Sequence, residues 1–115
     1  MEKTIKLGEK ELRLKSSLFT IISYKSTFGT DLFEDISNLS TKDEKESNNI
    51  TQVIKVLFQI IYILHKPYTK QSFEDFINDF DFSILNDTKA IEDITNVISE
   101  VLGTINNKSG NGVTP

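Results

Sequence analysis

Asn49-Ile-Thr-Gln-Val-Ile-Lys-Val-Leu-Phe-Gln-Ile-Ile-Tyr-Ile-Leu-His65 is the densest apolar run in the chain, and its reading decides the fold. From Val53 to Leu64 only Lys55 and Gln59 are polar. They lie four apart, on one side of an α-helix. As a strand, the run would place both beside Leu57 and Ile61, leaving no clean polar side. A helix that is apolar nearly all round is a core helix. The run is also shorter than the roughly 20 residues that cross a bilayer. The fold expected around it is mainly α: an N-terminal β-hairpin, then a bundle of about five helices packed on a central apolar helix at 50–65. Lys55 and Gln59 mark the stripe of that helix expected to reach solvent or a partner.

Upstream, Thr4-Ile-Lys-Leu7 and Glu11-Leu-Arg-Leu14 alternate apolar and polar around Gly8-Glu9. A two-residue loop with glycine first suits a type II′ hairpin turn. In that register Ile5 faces Leu12, and Lys6 lies opposite Glu11 on the other face. A lone hairpin is marginal in water. Its apolar face, made of Ile5, Leu7, Leu12 and Leu14, therefore either covers the chain's own helices or meets another chain. Ser16 or Ser17 can cap a helix bearing Leu18, Ile21, Ile22 and Phe28, with Phe19 and Tyr24 beside them. Gly29 supplies the left-handed position that ends it. Asp31-Leu-Phe-Glu34 then starts a short helix with Leu32, Phe33, Ile36 and Leu39 on its apolar side.

Ser40-Thr-Lys-Asp-Glu-Lys-Glu-Ser-Asn48 has no apolar residue, so a mobile, solvated loop is expected at 40–49. Beyond the central helix, Pro67 biases Lys66 away from helical geometry. Thr69 can cap the following helix, with Tyr68 and Phe73 as a hydrophobic staple. Phe73, Phe76, Ile77 and Phe80 follow at amphipathic spacing. After an apolar connector at 81–85, Asp87 can cap a last helix with Ile91, Ile94, Ile98, Val101 and Ile105 spaced three and four apart. Two heptads are too few to make a coiled-coil seam, and bundle packing is the simpler reading. Residues 1–102 thus form a single domain, with 103–115 as a flexible C-terminal tail.

The totals narrow the function. The 115-residue chain fits one domain. It has no cysteine, 17 acidic and 13 basic residues, and a net charge of −4. That balance disfavours nucleic acid and anionic membranes and favours a protein partner. The first residues lack the apolar core of a signal peptide, so a cytosolic location is expected. His65 is the only histidine, and no Cys/His metal site can be built around it. Its place at a helix end suits a dipole contact instead. Glu74, Asp75, Asp79 and Asp81 could offer oxygens to a cation, but no glycine-turned calcium loop accompanies them. No catalytic residue, cofactor site or metal site is expected, and an enzyme is not.

Lys3-Thr-Ile-Lys-Leu-Gly-Glu-Lys-Glu-Leu-Arg-Leu14, Tyr24-Lys-Ser-Thr-Phe-Gly29 and Thr30-Asp-Leu-Phe-Glu-Asp-Ile36 together resemble the opening of tail assembly chaperones of long-tailed bacteriophages and prophages of Gram-positive hosts. In that family a hairpin is followed by a helix ending in a Tyr-x-x-x-Phe-Gly-like corner, a Leu-rich turn, a charged loop, an apolar helix and Glu/Phe-rich amphipathic helices. Tyr24, Phe28, Gly29, Asp31, Leu32 and Ile36 match this pattern, and Ser72-Phe-Glu-Asp-Phe76 resembles the next helix start. The likeness runs over about residues 3–102, on motifs that are short and apolar.

The resemblance implies a non-enzymatic factor of virion morphogenesis that acts in the host cytoplasm and is not retained in the mature virion. Its expected partners are the tape measure protein and the tail tube protein, with room for self-association. The surface expected to bind comprises Ile5, Leu7, Leu12, Leu14, Tyr24, Phe28 and Phe33. Members are often made in a second, frameshift-extended form. The alternative is a small phage or mobile-element regulatory protein that binds and inhibits a host protein; clustered carboxylates on one face would favour it, whereas the charges of the 40–49 loop are mixed with lysines.

Overall fold

Glycine at position 8, with φ +66°, turns the chain back on itself while Glu9 stays out of the left-handed region, the pattern expected of the II′ turn. In the computed structural model, which describes residues 2–40 and 50–113, β1 (Glu2–Leu7) and β2 (Lys10–Lys15) pair antiparallel on either side of it. Ile5 faces Leu12 and Lys6 faces Glu11, as the alternation requires. Five α-helices follow among the described residues: α1 (Leu18–Phe28), α2 (Leu32–Ser40), α3 (Ile50–His65), α4 (Phe73–Asn78) and α5 (Thr88–Val113). Single 3₁₀ turns at Lys66–Tyr68 and Phe82–Asn86 lead into α4 and α5. The charged loop expected at 40–49 lies outside the described residues from position 41 onward.

The caps are set by short polar side chains. Ser17 closes a reciprocal box with Thr20 at the start of α1, and Gly29, at φ +80°, ends that helix by donating its N–H to the Lys25 carbonyl. Asp31 accepts from the Glu34 N–H and Asp87 from the Ala90 N–H. One cap differs from expectation. Ser72, not Thr69, accepts at the start of α4. After the turn around Pro67 the chain is extended at Thr69, whose hydroxyl accepts instead from the Gln71 N–H. Tyr68 packs against Arg13, whose guanidinium sits 4.5 Å from its ring centre.

α3 is the axis of the molecule. Every residue at 58–64 is buried, while Lys55 is exposed. The hairpin closes over one side of it, with Ile5, Leu7, Leu12 and Leu14 all at or below 5% exposure. The hairpin is therefore a lid on its own core. Fully burying side chains of this size stabilises by about 1.5–3 kcal/mol each, before the cost of ordering them. Polar contacts fix the lid's position: His65 Nδ1 donates to the Arg13 carbonyl at 2.8 Å, Lys10 pairs with Asp79 at 3.1 Å, and Lys3 pairs with Glu100 at 3.0 Å. Ala90, Ile94, Val97, Ile98 and Val101 of α5 are buried in the same core, and α5 lies against both α3 and β1. The α5 backbone continues to Val113, through the stretch where the sequence suggests a loose tail. Once the apolar stripe has nucleated the helix, each further residue adds one hydrogen bond, although the glycines at 103, 110 and 112 cost about 1 kcal/mol apiece.

Candidate functional site

α1 is built inside out. Its buried residues are Thr20, Ser23 and Tyr24, whereas Leu18 is 76% exposed, Ile22 66% and Phe19 45%. Ile21 and Phe28 are partly buried against the core. The four apolar positions that recur near helical spacing in this helix thus divide, Ile21 and Phe28 packing inward, Leu18 and Ile22 pointing out. Leu18 and Ile22 are one turn apart and Phe19 flanks them, so the three make one apolar ridge. Contiguous exposed apolar side chains make this ridge a candidate contact surface, as scattered ones would not.

A polar network explains how α1 can face this way. The Tyr24 hydroxyl donates to Asp35 Oδ2 at 2.7 Å, and the same carboxylate oxygen accepts from the Thr30 hydroxyl at 2.7 Å. The Tyr24 oxygen also lies 3.0 Å from Gln59 Oε1. A phenol has a single proton, so once it goes to Asp35 the oxygen must accept; turning the Gln59 amide about meets it with an N–H. Gln59 is only 5% exposed and points into the molecule, contrary to the expectation that it shares a solvent stripe with Lys55. The reason is a partner: a buried amide is tolerated where another buried polar group completes it. Burial, and then the Asp35 carboxylate, raise the Tyr24 pKa far above the ordinary phenol value.

An aromatic cluster carries the order from α1 across to α4. The Phe28 ring stands edge-on to Tyr24 at 5.1 Å and to Phe73 at 5.0 Å, and Tyr62 stands edge-on to Phe73 at 5.5 Å. Such edge-to-face pairs add about 0.5–1.5 kcal/mol beyond burial. Tyr62 also donates its hydroxyl to the Gln71 carbonyl at 2.6 Å.

Of the residues expected to bind a partner, Ile5, Leu7, Leu12, Leu14 and Tyr24 are therefore core, Phe28 is partly buried in the aromatic cluster, and Phe33, at 37%, is exposed. The open apolar side chains are mostly others: Leu18, Phe19, Ile22 and Phe82. A sequence signal for the first three exists. Thr20, Ser23 and Tyr24 recur at helical spacing and can serve as an inward face once Tyr24 has somewhere to send its hydroxyl.

Two clefts accompany these surfaces. One, of about 280 Å³, opens between α3, α4 and the Phe82–Asn86 turn and is walled by Ile54, Phe58, Ile77, Phe80 and Leu85, with Phe82, 84% exposed, at its side. The other, of about 460 Å³, separates the Gly8 turn from Asp79, Asp81 and Asp87. Hydrogen bonds from Gln71 and Lys10 hold the Asp79 carboxyl below the usual range, and hydrogen bonds from Ser83 do the same for Asp81. Among the described residues no group of three or more His, Cys, Asp or Glu could hold a metal ion. No helix among them is long and apolar enough to cross a membrane. Compared with protein-family models, curated proteins and solved structures, the chain matches none.

Proposed function

We propose that this chain is a tail assembly chaperone of a long-tailed bacteriophage or prophage. In this reading it binds the tape measure protein in the host cytoplasm, helps recruit tail tube subunits to it, does no chemistry, and leaves before the virion is complete. The observation that carries the reading is the outward apolar ridge of Leu18, Phe19 and Ile22 on a helix that buries Thr20, Ser23 and Tyr24 instead. A chaperone for an apolar segment needs such a surface in the open, and the acidic net charge of −4 keeps a protein exposing it soluble. The order of elements and the Tyr24, Phe28 and Gly29 corner support it through the resemblance described above.

Co-expression with the tape measure protein of the same phage, followed by pull-down, tests the proposal. Association and a rise in soluble tape measure protein are expected. Absence of both overturns it. Gene order offers an independent check: a tail tube gene upstream and a very long tape measure gene downstream are expected.

A further inference from the structure

We draw no further inference here: the strongest candidate, the apolar cleft between α3, α4 and the Phe82–Asn86 turn with the exposed Phe82 ring at its side, carries nothing because nothing in the structure shows what covers it.

Discussion

α3 and α1 treat their apolar residues in opposite ways. The central helix hides Ile60, Ile61, Ile63 and Leu64 at or below 2% exposure and also hides its one inward amide, Gln59. α1 hides Thr20, Ser23 and Tyr24 and leaves Leu18 and Ile22 outside. The two helices meet through the hydrogen bonds around Tyr24, where the polar exception of one answers the polar exception of the other. Polar residues inside a small core are costly unless paired, so the pairing is what permits α1 to spend its apolar side chains on the surface. An apolar residue is thus a core residue only in relation to what its helix has to offer on the opposite face.

The largest expected effect breaks the α3 side of this comparison. Ile61→Asp places an unpaired charge at a position with no exposure and should leave the domain unfolded at room temperature by circular dichroism, whereas Lys55→Ala on the exposed side should not move the melt. Next comes the joint between the helices. Gln59→Leu or Tyr24→Phe alone should each cost about 1–3 kcal/mol in urea unfolding, because each strands a buried polar partner. The double variant should cost less than the sum, and strict additivity would show that the two side chains do not interact.

Proton linkage gives smaller signals on either flank of neutrality. Tyr24 keeps its proton in the fold to a higher pH than in the unfolded chain. Its contribution is therefore intact below the ordinary tyrosine pKa of about 10 and falls as pH rises beyond it, since only the unfolded state then releases the proton. Tyr24→Phe should flatten that alkaline limb, and an unchanged slope would assign it elsewhere. Asp79, with its pKa held down, contributes stability above the ordinary aspartate value of about 4 and loses it as pH falls further. Asp79→Asn should slightly reduce the acid sensitivity of the melt, an effect kept small by the exposure of the Lys10 pair.

Strict alternation around Gly8 made the hairpin register legible, and the apolar density at 50–65 located the core helix. Both are local patterns. The assignment of inner and outer faces to α1 was not legible, because its apolar and polar residues each recur at helical spacing and only the arrival of Gln59, distant in sequence, decides between them. For the same reason Gln59 read as solvent-facing beside Lys55. The hairpin residues offered as a docking surface turned out to be lid, since the choice between covering one's own helices and meeting another chain depends on tertiary packing. The cap at Ser72 was hidden by a better-looking Thr69, whose hydroxyl is occupied within its own turn.

The account stands or falls most directly on the α1 ridge. Urea unfolding of the Leu18→Ser, Ile22→Ser double variant should give a stability within about 0.5 kcal/mol of the wild type, as for surface substitutions. A loss of about 2–4 kcal/mol, the scale of truncating two core side chains, would mean that these residues pack inside the protein and that no open apolar face exists.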